Sequence, residues 1–457
     1  MHIGGVMVFD PAPDGSMPSP ELVRRHLRER LGALPRYYQR LSEPRTGGMR
    51  WPEWREHPEL DLDAHVYRVR IPEPGGEAEL AEWAGEFYSQ RLDRTRPLWE
   101  IALVEGLEDG RWAMATKTHH CMVDGVGSVD VAYVMLDTDP AGGGPPSQPD
   151  VPAVEPEPLP EAGGLLARAT GAAGSAATTG WSLATWPLRK GLGVVRHPER
   201  AREALRSAGA MVDVIVRDEI IAAPHTSLNA PIGGKRRLGV TAIELRELKE
   251  LKSSLGGSLN DVVLALTSGA IRKLLLGRGE EPPSAGLRAM VPVNVRTAGE
   301  HLALGNKISS LFVRLPVAVA DPAERYDAQV REAESLKSGD AARGAATMID
   351  VSSLAPPVLH SFLARSMYAT RLFNLTITNV PGPQQPLYAL GCRMREVWPI
   401  VPLAAEHAIA LAVMSYDGRL FFTFNADRDA VPDLGAVMEG LGESLDELRA
   451  LARPPAA

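Results

Sequence analysis

The sequence predicts an α/β (α+β) protein of two domains, each built from a mixture of strands and helices. Length is the first observation: 457 residues exceed one ordinary domain, and two domains of roughly 200 residues each are the natural expectation. Composition is the second, because 44% hydrophobic and 23% charged residues are typical of a globular protein with sizeable cores. The third is the distribution of apolar patterns along the chain, since strand-like and helix-like patterns occur in both halves.

The first predicted domain covers residues 1–138 and begins with a strand, IGGVMVF. Apolar residues at helical spacing predict helices in SPELVRRHLRERLGAL and AELAEWAGEFYSQRL. Two strands in series follow, joined by the turn signal Glu108-Asp109-Gly110, and then a helix. The predicted strands are 3–9, 98–107 and 111–120, and the predicted helices are 19–34, 78–92 and 125–137.

Residues 139–224 are predicted to connect the two domains. The stretch 139–164 is Pro, Gly and acid with almost nothing to bury, which predicts a solvated linker. Residues 165–223 are weakly helical, and 198–220 is amphipathic with a basic flank. This amphipathic segment either lies across the body of the protein or lies on a membrane surface.

The second predicted domain covers residues 225–457 and again mixes helices with strands. Its last two strands form a hairpin, because Asp417-Gly418 suits a tight type I′ turn. A final helix is expected after Pro432. The other predicted elements are a helix at 258–277, strands at 286–296, 308–316 and 373–380, helical segments within 321–370 and the hairpin at 407–427.

Charge and cysteine content exclude some classes of protein. Lys and Arg total 49 and Asp and Glu total 57, so the net charge is −8, and no long basic run could track phosphates of a nucleic acid. Only Cys121 and Cys392 are present, so no disulfide framework is implied and a reducing, intracellular compartment is expected. The sequence indicates neither a signal peptide nor a transmembrane segment.

The stretch KTHHCMVDGVGS at 117–128 contains several residues that can take part in catalysis, and it lies between a predicted strand and a predicted helix. Adjacent residues of an extended segment face opposite ways, so one of His119 and His120 acts on a substrate and the other supports it. An imidazole near neutrality takes a proton from an alcohol or amine and passes it on. Asp124 either orients the imidazole or braces the loop through an arginine, and Gly125 permits the tight turn into the helix.

Three other interpretations of this stretch stay open. The histidine pair could be purely structural. A metal site has no clear third and fourth ligand at suitable spacing. Cys121 could be a nucleophile, although a lone cysteine is more often a small buried hydrophobe.

HHCMVDG resembles the HHxxxDG motif of the CoA-dependent acyltransferase superfamily, which includes chloramphenicol acetyltransferase and the condensation domains of nonribosomal peptide synthetases. Further stretches, in this order and spacing, resemble the bacterial wax ester synthase/diacylglycerol acyltransferase family over nearly the whole chain. They are RPLWE, HTSLNAPIGGKRRLGV, SLNDVV, MVPVNVR, GNKISS, TNVPGP and SYDGRL. The resemblance implies a two-domain, chloramphenicol-acetyltransferase-like fold with an active-site tunnel between the domains.

The resemblance also implies an activity: transfer of a long-chain fatty acyl group from acyl-CoA to diacylglycerol or a long-chain fatty alcohol, without a metal or other cofactor. His120 would be the general base, with His119, Asp124 and Gly125 completing the catalytic motif. Asp124 would form a structural ion pair, for which Arg296 is the candidate partner.

Other residues are expected to shape the site. Asn260 and Asp261 match the family's Asn-Asp motif at the start of an apolar helix, where an N-cap role and a site role are compatible. Pro97, Leu98 and Trp99 are expected to shape a strand bordering the cleft, through packing more than through substrate contact. The resemblance places a short segment with a Ser-Pro-x-Asp pattern ahead of MHIGG, so either the start is misassigned or a piece of the tunnel wall is lacking.

Three rival functions remain alongside this expectation. One is a condensation-type acyltransferase with another donor or acceptor, the second is a catalytically silent lipid-binding homologue, and the third is a thiol hydrolase that uses Cys121. A cytoplasmic protein bound peripherally to the inner face of the membrane or to lipid droplets is expected, because diacylglycerol and fatty alcohols reside there. No nucleic acid partner is expected.

Overall fold

The computed structural model describes residues 1–42, 52–57, 60–122, 135–142, 144, 223–294, 308–338 and 372–452. These residues form two six-stranded sheets, a two-stranded sheet and the helices that pack on them. The predicted linker beyond residue 144, the amphipathic segment 198–220 and most of the predicted helix 125–137 lie outside the described residues. The domain boundaries at 138 and 225 stay predictions.

The elements of the first part of the chain are β1 (His2–Phe9), α1 (Pro20–Arg30), β2 (Gln39–Leu41), β3 (Trp54–Glu56), β4 (Val66–Arg70), α2 (Glu77–Ser89), β5 (Trp99–Glu105) and β6 (Trp112–His119). Of these, β1, α1, α2, β5 and β6 lie close to their predicted positions, and the three short strands β2, β3 and β4 were not predicted. The first predicted helix is shorter than expected, because the chain turns into short 3₁₀ segments at Leu31–Ala33 and Pro35–Tyr38. Pro35 cannot continue an α-helix, so the regular part ends at Arg30.

The elements after residue 223 complete both sheets. They are β7 (Arg236–Glu244), α3 (Leu245–Leu255), α4 (Leu259–Gly277), β8 (Leu287–Asn294), β9 (Ile308–Leu315), α5 (Pro322–Ser338), β10 (Leu375–Val380), β11 (Tyr388–Ala389), β12 (Cys392–Ile400), β13 (Ile409–Tyr416), β14 (Arg419–Asp427) and α6 (Leu434–Ala452). The predicted hairpin is confirmed, and Asp417 and Gly418 have φ values of 45° and 80°, as a type I′ turn requires.

The first sheet has the strand order β11-β12-β1-β6-β5-β4. Strand β1 lies in its middle, antiparallel to both β12 and β6. Close approach to β6 requires glycine at position 4, because a Cβ there would lie 1.9 Å from the carbonyl oxygen of Thr116. Strands from near the end of the sequence thus complete the sheet that carries the histidine motif.

The second sheet has the order β7-β14-β13-β10-β8-β9 and packs one face against α4 and α6. Strand β10 runs parallel to β8 and β13, and the other pairs are antiparallel. Helix α4 is buried along nearly its whole length, with Val262, Leu266 and Leu274 fully inaccessible. An apolar helix of this kind needs cover on several sides, which the sheet, α5 and α6 supply.

Sequence patterns did not predict β4, β7, α3 or β12. Along β7 the buried residues are Leu238, Val240 and Ile243, so its apolar alternation breaks partway. Strand β12 contains Pro399, which argues against a central strand. It is tolerated because β11 pairs with β12 only at residues 392–393, and beyond that point β12 has one ladder partner, β1, among the described strands.

Candidate active site

The histidine pair stands at the end of β6 and is fixed by backbone hydrogen bonds. The His119 N–H donates to the carbonyl oxygen of Leu98, at 2.9 Å, and the His120 N–H donates to that of Met1, at 3.0 Å. The Met122 N–H then donates to the carbonyl oxygen of His119, at 2.9 Å, which closes a turn. We call residues 119–122 the motif turn; both neighbouring strands hold its backbone in place.

Strand β6 presents alternate side chains to two different environments. Thr116 and Thr118 line a cavity between the two sheets. Lys117 points the other way, where its ammonium bonds the carbonyl oxygens of Phe87 and Gln90 at the end of α2. Alternation places His119 on the Lys117 side, next to the His2 ring at 6.3 Å between centroids. The strand ends at His119, and His120 follows it in the turn.

The imidazole of His119 is bound within its own turn. Its Nδ1 accepts a hydrogen bond from the Cys121 N–H at 3.2 Å and lies 3.0 Å from the Cys121 Sγ. Burial disfavours the charged ring and lowers the pKa of His119 to about 4. His119 is therefore neutral near pH 7, and its Nδ1 is occupied.

Cys121 is a poor candidate for a nucleophile. The residue lies at the surface, yet the protein atoms around its thiol raise the pKa of Cys121 above its ordinary value. A reactive cysteine needs the thiolate, and a neighbouring imidazolium stabilises it. Here the thiol is protonated and the neighbouring imidazole is neutral, so the pair lacks the charge separation that nucleophilic catalysis requires.

Lys117 is a functional candidate that the sequence reasoning did not single out. It is fully buried and forms an ion pair with Glu100 on the neighbouring strand. Its Nζ also lies 4.2 Å from the centroid of the Phe87 ring. A lysine inside the strand Trp112–His119 was the available signal, since lysines are almost never fully buried unless they are paired.

The cavity beside Thr116 and Thr118 is partly open to solvent. Its wall comes from both sheets and is mostly apolar, which suits a long hydrocarbon chain. Residues from the first sheet include Ile3, Met7 and Val397, and residues from the second include Val380, Val413 and Met414.

Pro97, Leu98 and Trp99 are all buried and precede or begin β5. Trp99 lines the cavity and donates from its Nε1 to the carbonyl oxygen of Tyr37 at 3.0 Å. The buried His65 ring stacks on Trp99, with 4.4 Å between centroids. The carbonyl oxygen of Leu98 accepts from the His119 N–H, so this segment joins the cavity wall to the motif turn.

Asn260 and Asp261 stand at the start of α4 and do not line the cavity. The N-cap is Ser258, and Asp261 completes the capping box by accepting from the Ser258 N–H and hydroxyl, each at 2.7 Å. Asn260 Oδ1 accepts from the Asn379 side chain at 3.4 Å. Asn379 follows Thr378, which does line the cavity. Asn260 thus contacts β10, whereas Asp261 caps its own helix.

Asp124, Gly125 and Arg296 lie outside the described residues, so their expected roles stay predictions. Within the described ranges, no group of three or more His, Cys, Asp or Glu side chains is placed to hold a metal ion. In the same part of the chain, no helix has both the length and the apolar character needed to cross a membrane.

Comparison with known families matches both parts of the chain. The model of the wax ester synthase/diacylglycerol acyltransferase catalytic domain matches residues 1–263, and that of the WS/DGAT C-terminal domain matches residues 304–449. The chain is 32% identical over 455 residues to the probable diacylglycerol O-acyltransferase tgs2 of Mycobacterium tuberculosis, covering 98% of this chain and 94% of that protein. The corresponding tgs1 is 29% identical over 464 residues, covering 99% and 92%.

Solved structures agree with these matches. The wax ester synthase/diacylglycerol acyltransferase from Marinobacter aquaeolei VT8 superposes with a TM-score of 0.67 at 26% identity, covering 99% of this chain and 95% of that one. The first condensation domain of the CDA synthetase shares the fold, with a TM-score of 0.55 at 16% identity and coverage of 100% and 92%. The expected two-domain acyltransferase fold is confirmed. The chain therefore belongs to the wax ester synthase/diacylglycerol acyltransferase family and is an acyltransferase.

Proposed function

We propose that the protein transfers a long-chain fatty acyl group from coenzyme A to the hydroxyl of diacylglycerol or of a long-chain fatty alcohol, with His120 as the general base. The observation that carries this proposal is the junction between an apolar cavity and the strand that ends at His119. Membership in the family supports the reaction, and the occupied Nδ1 of His119 supports His120 over His119.

The chemistry requires one group that takes a proton and then returns it. As the acceptor hydroxyl attacks the thioester carbon, the His120 imidazole removes its proton. The tetrahedral intermediate collapses, the C–S bond breaks, and the imidazolium protonates the leaving CoA thiolate. General-base help of this kind contributes about 10²- to 10⁴-fold, and positioning in the cavity contributes further.

His119 acts as a positioning residue in this account. Its neutral ring accepts from the Cys121 N–H and so stabilises the motif turn that carries His120. A neutral neighbour also avoids repulsion when His120 becomes an imidazolium during the reaction. Asp124 and Arg296 would brace the same loop as an ion pair, with Gly125 allowing the turn, as the family resemblance implies.

The apolar wall supports a long-chain acyl donor. The cavity lies beside Thr116 and Thr118, and its lining is mostly apolar, which suits a hydrocarbon chain. Both sheets contribute to the wall, so one substrate can enter along each. Trp99 and Thr378 lie on opposite sides of this space, from the first and second sheet respectively.

The acceptors reside in bilayers or lipid droplets, so we also propose reversible association with such surfaces. Sedimentation with vesicles that contain dipalmitoylglycerol tests this part. The protein is expected in the vesicle pellet at low ionic strength, and a protein that stays wholly in the supernatant would contradict it.

The reaction is tested by measuring CoA thiol release from palmitoyl-CoA with and without hexadecanol or dipalmitoylglycerol, while identifying the ester formed. Thiol release that depends on an acceptor and matches ester formation in amount is the expected result. CoA thiol release that stays the same when either acceptor is added would indicate a hydrolase. A folded protein that retains lipid but releases no thiol would indicate a binding protein.

A further inference from the structure

Asp137 lies where two other segments of the chain meet the end of the predicted helix 125–137. Its side chain is paired with Arg30 of α1, at 2.5 Å between Oδ1 and Nη2. Its backbone forms a two-way bridge with Tyr388 of β11, because each N–H donates to the carbonyl oxygen of the other residue at 2.8 Å. We call Arg30 and Asp137 the clamp pair, since through them α1, β11 and the chain at Asp137 are held together.

Helix α1 also binds the two residues before Asp137. The Nε2 of His26 donates to the carbonyl oxygen of Met135 at 3.1 Å, and the Nη1 of Arg30 donates to that of Leu136 at 3.3 Å. Side chains four residues apart lie on the same face of a helix. One face of α1 therefore fixes three consecutive residues of the facing chain.

The segments that the clamp pair joins also supply one wall of the apolar cavity, although neither Arg30 nor Asp137 lines it. Apolar packing has no directional preference, whereas an ion pair and hydrogen bonds fix the position of the groups that they join. The clamp pair therefore acts on the cavity through its apolar neighbours. These are Leu27 and Leu31 of α1, Met135, Leu136 and Leu387, all of them buried.

The wall at Leu387 is far from the motif turn. Along β1, His2 pairs with His119 at one end and Phe9 pairs with Met394 at the other. The Met394 N–H donates to the carbonyl oxygen of Leu387 at 2.8 Å. Strand β1 has 8 residues, so the two ends are roughly 20–25 Å apart at about 3.3 Å per residue.

The Asp137 carboxylate depends on its partner. Its side chain is 4% exposed and that of Arg30 is 20% exposed, and the Gly144 N–H also donates to Oδ1 at 3.0 Å. A buried carboxylate is strongly disfavoured once its partner is removed. The pair therefore holds α1 and the chain at Asp137 in one relative position.

We propose that Arg30 and Asp137 are positioning residues that limit the length of the acyl chain that the cavity takes. This inference rests on the proposed function, which places the thioester at the motif turn and the hydrocarbon chain in the cavity. The methyl end of a long chain then meets the wall at Leu387, and a longer chain must displace it. A wall fixed by the clamp pair resists that displacement, and a loosened wall yields.

The test compares lauroyl-CoA with arachidoyl-CoA as donors for the wild type and Asp137→Asn, which keeps the side-chain size and removes its charge. The ratio of kcat/KM for arachidoyl-CoA to that for lauroyl-CoA is expected to rise about ten-fold, the lower end of what excluding one methylene group by contact is worth. The kcat with lauroyl-CoA stays at the wild-type value, because the shorter chain ends before the wall. Arg30→Gln repeats the test from the more exposed side of the pair, and Leu387→Ala widens the wall directly; both should raise the ratio.

Asp427→Asn is the matched control. Asp427 forms an ion pair with Arg236, with side-chain exposures of 2% and 17% against 4% and 20% for Asp137 and Arg30. A backbone N–H donates to each of the two carboxylates, and neither Asp427 nor Arg236 lines the cavity. The control should lose a similar amount of stability in urea unfolding and keep the wild-type ratio. An equal rise in Asp427→Asn and Asp137→Asn would reflect a general loosening of the fold and would overturn the proposal.

Binding without catalysis separates this inference from the proposed function. Displacement of the fluorescent fatty acid cis-parinaric acid by each of the two donors measures the affinity for each chain in the absence of an acceptor. If the wild type forms no ester but Asp137→Asn gains relative affinity for the longer chain, the clamp pair is supported and the proposed function alone fails. Unchanged ratios in folded Asp137→Asn, Arg30→Gln and Leu387→Ala, in kinetics and in displacement, would overturn the proposal.

Discussion

The Nδ1 of His119 and the Sγ of Cys121 lie 3.0 Å apart in the motif turn, and both groups are neutral near pH 7. Such a contact between imidazole and thiol could suggest a cysteine nucleophile. The direction of both pKa shifts argues for a structural brace, since burial disfavours the imidazolium and the thiolate alike.

Cys121→Ala is expected to leave acyl transfer nearly unchanged. The Cys121 backbone N–H, which donates to His119, is retained in this variant. A substitution at an exposed position changes energies by no more than about 0.5 kcal/mol, equivalent to about two-fold in rate. The measurement is kcat for acceptor-dependent thiol release, and a loss comparable to that of His120→Ala would restore the thiol mechanism.

Stability is expected to depend on pH partly through His119. Its pKa is about 4 in the folded protein against 6.5 for an ordinary histidine. Between these values the unfolded chain binds a proton that the folded protein does not, so the free energy of unfolding falls as the pH falls from 6.5 to 4.

The measurement is urea unfolding at several pH values for the wild type and His119→Gln. The variant should lose less stability over this window than the wild type. Some slope remains, because burial also lowers the pKa of His2 to about 4. Identical slopes for the two proteins would show that His119 titrates normally in the folded state.

Lys117→Met is expected to destabilise the fold strongly. It leaves Glu100 and two backbone carbonyl oxygens without their cationic partner, and breaking a buried pair costs about 3–5 kcal/mol. Urea unfolding followed by circular dichroism gives the free energy.

The double variant Lys117→Met with Glu100→Gln separates charge from packing. Removing both charges should recover part of the loss, since the uncompensated carboxylate is gone. If the double variant is no more stable than Lys117→Met, the unpaired charge of Glu100 is not the cause of the stability lost in Lys117→Met.

Thr378→Phe is expected to shift donor preference toward shorter acyl chains. Thr378 lines the cavity from β10, and a phenyl ring there would occupy space that a long chain uses. The measurement is the ratio of kcat/KM for palmitoyl-CoA to that for decanoyl-CoA. Thr378→Val, which keeps the volume, should leave this ratio unchanged, and an unchanged ratio in Thr378→Phe would place the acyl chain elsewhere.

The sequence predicted the elements whose apolar pattern is regular. Helix α4, with its Ser258 cap and unbroken apolar run, and the hairpin around Asp417-Gly418 are the clearest cases. It did not predict that β12 joins β1 in the first sheet, because pairing between residues so far apart in the chain leaves no local pattern. The glycine at position 4 is explained by the close approach of β6, where a Cβ would meet the carbonyl oxygen of Thr116.

Local patterns in the sequence also predicted part of the candidate site, and contacts between distant residues account for the part that was not predicted. Alternation along β6 separates the environments of Lys117 and Thr118, and the opposite orientation of the two histidines stays a prediction because His120 lies in the turn beyond the strand. Asp261 takes the local capping role that a helix start favours, by accepting from Ser258. The contact of Asn260 with Asn379 of β10 joins residues far apart in the chain and leaves no local pattern.

The central claim is that His120 is the general base, and the most direct measurement is kcat for ester formation by His120→Ala at saturating palmitoyl-CoA and acceptor. Circular dichroism and urea unfolding confirm that the variant is folded. A fall of at least about 100-fold, larger than the fall in His119→Gln, is the expected result. A folded His120→Ala that keeps more than about a tenth of the wild-type kcat would contradict the account, since general-base catalysis contributes more than that.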